Sequence, residues 1–327
     1  MDLFRRIFGK TNEEIPETVS VDEELPDQSS IDEAGDAIDA ATRPVGPQPT
    51  SRPLNADGVT QPLDPEHLIA QRSDFIAFGQ ASDVGLVRNN NQDAALSFYF
   101  TSQSSDSPPD FGLFVVADGM GGHHEGERAS AITTRTIAQH IASNICLPII
   151  ANQGNSEQPP LAEVLVEAVH KANTEVIKQV PDGGTTVTAI AIIGDLAYVA
   201  HVGDSRAYFI TRQDIEKITR DHSLVQRLIE LHQLTPQEAA EHPQKNVLYR
   251  ALGQSETLEV DTHTRRLPAS SRLLICSDGL WSQVEESELF EIVMNTPDPQ
   301  QACDKLVALA NTRGGVDNIT AILLKIS

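Results

Sequence analysis

The chain has 327 residues, room for one large domain or two ordinary ones, and carries 47 acidic against 24 basic side chains, a formal charge of −23. So acidic a chain repels nucleic acid and anionic membrane, no apolar run reaches the ~18 residues of a membrane span, and MDLFRRIFGK lacks the apolar core of a secretory signal. Cys146, Cys276 and Cys303 are too few and too scattered for a disulfide framework or a zinc site, which fits a reducing cytoplasm.

Residues 1 to about 70 hold 15 acids, 5 bases and repeated prolines, as in EELPDQSSIDEAGD and RPVGPQPTSRPL. Such a stretch buries too little apolar surface to offset its ordering entropy, so 1–72 reads as a disordered tail and 73–327 as the folded domain. In chain order, apolar runs predict a strand at 111–117, helices at 127–145 and 161–179, then strands at 185–193, 196–202 and 207–211. A helix follows at 224–233, with Asp221 or Ser223 as its cap, and Thr235-Pro236 opens another. A strand at 272–276, helices at 285–294 and 299–312, and a strand at 318–326 complete the set. LAYVAHVGDSRAYFI reads as two strands pairing back over a tight GDSR turn. Several strands follow one another with no helix between, which favours an antiparallel α+β sandwich over a doubly wound parallel sheet.

Aspartates punctuate these strands. Asp118 ends FVVADGM, Asp204 follows AHVG, Asp278 follows LLICS, Asp317 opens DNITAILL, and Asp93 closes SDVGLVRNNNQD. One Asp-Gly after a strand is ordinarily a turn. Five carboxylates gathered at one edge of a sandwich would stay ionised only with cations between them. A donor set of oxygens alone points to a hard ion, Mg²⁺ or Mn²⁺, and the glycines beside Asp118 and Asp278 leave room for backbone or water to approach it.

The motifs SDVGLVRNNNQD, DGMGGH, GTT, HVGDSR, DHSLVQRL, CSDGLW and GGVDNIT occur in this order. Together they resemble the bacterial branch of the metal-dependent protein phosphatases (PPM, type 2C) over roughly 74–327. The resemblance implies an αββα sandwich: two antiparallel β-sheets flanked by helices. It implies that Asp93, Asp118, the carbonyl of Gly119, Asp278 and Asp317 hold two Mn²⁺ or Mg²⁺ ions. Asp118 would bridge them with a water whose hydroxide attacks phosphorus, and Asp204 would join Asp278 at a weaker third ion. Arg88 matches the family's phosphate-binding arginine, whose planar fork suits two phosphoryl oxygens.

His123, or its neighbour His124, is the candidate proton donor to the leaving group. Animal relatives place that histidine directly after Asp-Gly, where this chain has Met120, so the alternative is a histidine serving metal-bound waters or the helix start. The stretch 220–252 resembles the family's flap, with His222, His232 and His242 as surface or packing groups. Trp281 is expected in the core beneath the metal loop, and Cys276 as a small core residue. The implied protein is a cytoplasmic monomer that removes phosphate from phosphoserine and phosphothreonine in proteins and opposes a Ser/Thr protein kinase. The alternative is a catalytically silent phosphoprotein-binding regulator on the same fold; a metal-dependent nuclease is disfavoured by the charge.

Overall fold

A computed structural model describes residues 76–101, 109–122, 124–151 and 159–327. All lie within a unit that spans Leu63–Ser327. The expected tail boundary near residue 72 and His123 lie outside the described residues.

Eleven strands form among these residues: β1 (Ile76–Asp83), β2 (Asp93–Phe100), β3 (Phe111–Met120), β4 (Gly184–Thr185), β5 (Val187–Ile193), β6 (Leu196–Val202), β7 (Arg206–Ile210), β8 (Ile215–Lys217), β9 (Asp261–Arg266), β10 (Arg272–Cys276) and β11 (Ile319–Ile326). They divide into two sheets, β1-β11-β10-β7-β8 and β2-β3-β5-β6-β9, with β4 pairing the end of β3. Every pairing is antiparallel. The helices are α1 (Glu125–Ile141), α2 (Leu161–Gln179), α3 (Leu224–Glu230), α4 (Pro236–Ala240), α5 (Asp278–Trp281), α6 (Glu286–Asn295) and α7 (Pro299–Thr312). A wider helical turn over Ala142–Cys146 and a short turn at Leu147–Ile150 prolong α1. The chain thus forms the expected αββα sandwich.

The layering explains the uninterrupted apolar run of β3. Phe111, Leu113 and Val115 face Ile137 and Ile141 of α1 and Leu165 and Val169 of α2. Phe114 and Val116 point the other way, to Ile275 and Ile322 of the second sheet. A strand covered on both faces needs apolar residues at every position, so the usual alternation disappears. On the far side, Leu289 and Val293 of α6 and Leu306 and Ala310 of α7 bury Tyr208, Leu274 and Ala321.

Two expectations are corrected. The strands flanking GDSR do not pair: β6 belongs to one sheet and β7 to the other, so Gly203–Ser205 crosses between layers. Both strands are buried on both faces, and such strands carry no periodic signal of their partner. The expected strand 185–193 is divided between β4, against the end of β3, and β5. Ser223, not Asp221, caps α3 by accepting the Gln226 N–H, and Thr235 with Glu238 forms a capping box on α4.

Candidate active site

The pairing of β2 with β3 sets Asp93 opposite Asp118 on one sheet. The neighbouring strands β10 and β11 of the other sheet carry Asp278 just after one and Asp317 just before the other. The two pairs meet at one edge of the sandwich, where Ser277 Oγ of the second sheet donates to Asp93 Oδ2 of the first at 2.7 Å. The Asp118 backbone is held by Thr186, whose Oγ1 accepts its N–H at 2.9 Å, and by the Thr186 N–H, which donates to its carbonyl at 2.8 Å. Gly119 has a packing reason to be glycine: a Cβ there would lie 2.1 Å from the Gly126 carbonyl oxygen at the start of α1. Arg88 Nη2 donates to Asp317 Oδ2 at 2.6 Å with its side chain about half exposed.

Asn318 organises the loops. Its amide donates to the Val84 and Asn90 carbonyls at 2.9 Å each, and its Oδ1 accepts the Gln92 N–H at 2.8 Å. Asp204 is buried in the sheet-crossing turn, close enough to Asp278 for the two charges to interact. Its carbonyl accepts Trp281 Nε1 at 3.0 Å, and the Trp281 ring carries the Arg206 guanidinium 3.5 Å above it. Trp281 therefore packs partly buried against the core and also walls the site: its indole N–H needs an acceptor and finds it on the turn. A cavity of about 530 Å³ opens here, with Asp278, Asp317 and Trp281 on one side and Val225, Ile229 and Ala239 of the flap on the other. His124 stands at the surface, its Nδ1 3.5 Å from Glu127 Oε2.

The electrostatics are those of a site short of positive charge. Burial, reinforced by Asp278 and Asp317, pushes the Asp93 carboxyl up to about 7 despite hydrogen bonds from Thr320 and Ser277. Burial and Asp317 push Asp278 up to about 6. Asp118 and Asp204 are held well above the ordinary carboxylate range, again by burial and then by neighbouring carboxylates. Asp93 Oδ1 and Asp278 Oδ1 are buried with no hydrogen-bond partner. Buried carboxylates that repel one another and leave acceptors unmet fit divalent cations, which would supply the missing charge and ligation. Among the described residues no three acidic, His or Cys side chains close into a ready-made cage. Hard ions that keep several waters need only one or two carboxylates each, so the open arrangement still fits.

A stability signature follows for the metal-free chain. A carboxyl whose folded pKa is raised favours folding below its unfolded value near 3.8, and that contribution is lost as pH rises through about 6 for Asp278 and 7 for Asp93. His201 acts oppositely: burial lowers it to about 4, so its contribution holds above 6.5 and is lost as pH falls through 4. Between pH 6.5 and 8 the Asp93 carboxyl dominates the change. In chelator, the melting temperature is expected to drop over that window by roughly 2–4 °C per kcal/mol lost, with on the order of 1 kcal/mol lost at Asp93 and little at Asp278, which is largely ionised already by pH 6.5. Added Mn²⁺ should abolish the drop. A flat melting profile in chelator would contradict this reading.

Residues 87–310 match the profile of the family described as Protein phosphatase 2C. The chain belongs to that family. It is 34% identical over 244 residues to the serine/threonine phosphatase stp of Listeria innocua, spanning 75% of this chain and 93% of that one. It is also similar to the crystal structure of the Mycobacterium tuberculosis serine/threonine phosphatase PstP/Ppp, with a TM-score of 0.63, 31% identity, and coverage of 77% of this chain and 99% of that one. A crystal structure of the PstP catalytic domain in complex with two manganese ions matches with a TM-score of 0.62 and 30% identity, over 77% of this chain and 98% of that one.

The structure brings Arg88, Asp93, Asp118, Asp204, Asp278 and Asp317 within interacting distance at one edge. The sequence reading missed the residues that hold them. Ser277 and Asn318 sit directly beside Asp278 and Asp317 in SDG and DNIT, so their adjacency was the available signal.

Proposed function

We propose that the chain is a metal-dependent protein serine/threonine phosphatase that hydrolyses phosphoserine and phosphothreonine in proteins. The observation that carries this is the pair of buried, unpartnered oxygens, Asp93 Oδ1 and Asp278 Oδ1, beside a half-exposed arginine. Asp93, Asp118, Asp278, Asp317 and the Gly119 carbonyl would hold two Mn²⁺ or Mg²⁺ ions, and Asp204 with Asp278 a weaker third. When bound, these ions supply the charge that polarises a phosphoryl group and makes water acidic enough to react near neutral pH.

The chain's own residues do the rest. Arg88 has one nitrogen on Asp317 and, being half exposed, presents further N–H groups to phosphoryl oxygens. Asp317 fixes the direction of that fork. The flap and Trp281 wall the cavity in which the residues around the phosphoryl group would lie. No thiol competes as nucleophile: burial pushes Cys146 up to about 11 and Cys276 and Cys303 up to about 12. His123 is the proposed proton donor to the departing serine or threonine oxygen.

The silent-regulator reading would be favoured by a missing carboxylate, and none of the five is missing. Three free, buried cysteines support a reducing compartment, for which we take the cytoplasm. No helix among the described residues is long and apolar enough to cross a membrane. The opposing Ser/Thr kinase, monomeric action and the acidic tail over 1–72 belong to the same proposal. Incubating the full chain with a phosphothreonine peptide and Mn²⁺, with and without chelator, tests it. Phosphate release that stops on chelation is expected; tight peptide binding without release would favour the regulator.

A further inference from the structure

His222 has no place in the chemistry above, yet it is almost wholly buried and occupies a junction. It opens the flap, just ahead of α3. Its backbone N–H donates to the Gly203 carbonyl at 2.7 Å, and its ring Nδ1 accepts the Gly203 N–H at 3.0 Å. One residue thus satisfies both peptide groups of Gly203, the residue immediately before Asp204. Gly203 has φ +112°, and a Cβ on it would lie 2.5 Å from Thr186 Cβ, so the turn is pressed against the lead-in to β5. The orientation of its peptide groups sets where the following residue, Asp204, is presented.

The far side of the ring is equally committed. Because Nδ1 accepts, the ring proton resides on Nε2, 3.1 Å from Asp261 Oδ2. Asp261 is fixed in turn by Arg250 Nη1 at 2.7 Å. The Tyr249 N–H donates to the His222 carbonyl at 2.9 Å, so the returning end of the flap ties to the same residue as its start. Flap entry, flap exit and the Asp204 turn therefore converge on one residue, and its ring supplies the acceptor for the Gly203 N–H.

We infer that His222 is a positioning residue: by orienting the Gly203–Asp204 peptide it sets the Asp204 carboxylate for the outer ion and couples that ion's affinity to flap placement. This rests on the reading of Asp204 as a ligand of a weaker third ion. Groups that orient metal ligands from outside the coordination sphere are worth about 10–100-fold in metal affinity or activity.

The test is calorimetric Mn²⁺ titration and thermal melting of the full-length, metal-stripped chain and its variants, with kcat and KM on a phosphothreonine peptide. His222→Asn keeps an acceptor where Nδ1 stood, since its Oδ1 occupies nearly that position. His222→Gln and His222→Leu do not. Gln and Leu should weaken the weakest Mn²⁺ step about tenfold or more, leave the tight steps unchanged, and lower kcat more than they raise KM. Asn should restore the weak step to within about threefold of the parent. If Leu fails to fold, the Asn–Gln comparison decides alone. Equal weak-step affinity in Asn and Gln, or variants that lose melting temperature but no affinity, would overturn the inference. Asp204→Ala separates the layers: if it removes the weak step while His222→Gln leaves it intact, His222 is only structural and the Asp204 reading stands. A parent without a weak step overturns both.

Discussion

Asp278→Asn is expected to lower turnover on a phosphothreonine peptide by at least about a thousandfold while the chain stays folded. Removing one preorganised group that stabilises transition-state charge ordinarily costs on the order of 10²–10³ in kcat, and Asp278 is proposed to serve more than one ion. Asparagine is nearly isosteric, so the packing of α5 survives, including the close approach of Gly279, where a Cβ would lie 2.1 Å from the Asn318 carbonyl oxygen. What changes is charge. In the metal-free parent, Asp278 is a buried carboxyl raised by burial and by Asp317. Neutral asparagine removes that repulsion, so without metal the variant should melt above the parent at pH 8. Lost catalysis with gained metal-free stability is the pattern of a ligand held in place against its own electrostatics. Turnover within tenfold of the parent, or a metal-free variant that melts lower, would count against the assignment. Steady-state kinetics with paired melting curves in chelator supply both readings.

The second large effect is at Arg88. Arg88→Ala should lower kcat/KM on a phosphopeptide by roughly 10–100-fold, the scale of a lost charge-assisted hydrogen bond at about 1.5–3 kcal/mol. The change should appear mainly in KM. The arginine does not wander: the preceding Leu86 and Val87 N–H groups both donate to the Gly315 carbonyl, at 2.7 and 3.2 Å, and Asp317 holds one Nη2. This loop aims the remaining N–H groups. Arg88→Lys keeps the charge but loses the fork, because one ammonium cannot hold Asp317 and two phosphoryl oxygens in the same geometry. It should recover only part of the loss. Unchanged kcat and KM in Arg88→Ala would make the residue a surface ion pair and nothing more.

What the sequence revealed, and what it hid, follows from where each strand sits. The strands anticipated at 111–117, 196–202, 207–211, 272–276 and 318–326 are inner strands, apolar because layers cover both faces. The strands β1, β2, β8 and β9 went unanticipated, and all four are sheet edges. Edge strands are partly exposed: DTHTRR of β9 is polar or charged throughout and carries no hydrophobic period. Asp118, Asp204, Asp278 and Asp317 were legible because each follows or precedes an anticipated strand, a local feature, whereas Asp93 begins the unanticipated β2 and was marked only by its motif SDVGLVRNNNQD. The supports of these carboxylates were not legible, because Ser277 reaches Asp93 across 184 residues and Asn318 reaches Val84 across 234. Of the two alternatives for His222, surface or packing, the structure shows the buried one, and its partners Gly203 and Asp261 were hidden from the sequence for the same reason, since they lie in other elements.

The central claim is that Asp93, Asp118, Asp278 and Asp317 form a divalent-metal site. Anomalous diffraction from crystals of the full chain grown with Mn²⁺, collected on both sides of the manganese edge, tests it most directly. The account predicts two strong anomalous peaks among these four carboxylates and a third, weaker one between Asp278 and Asp204. Full-occupancy manganese elsewhere on the protein, with these carboxylates bound only to one another and to Arg88, would contradict it.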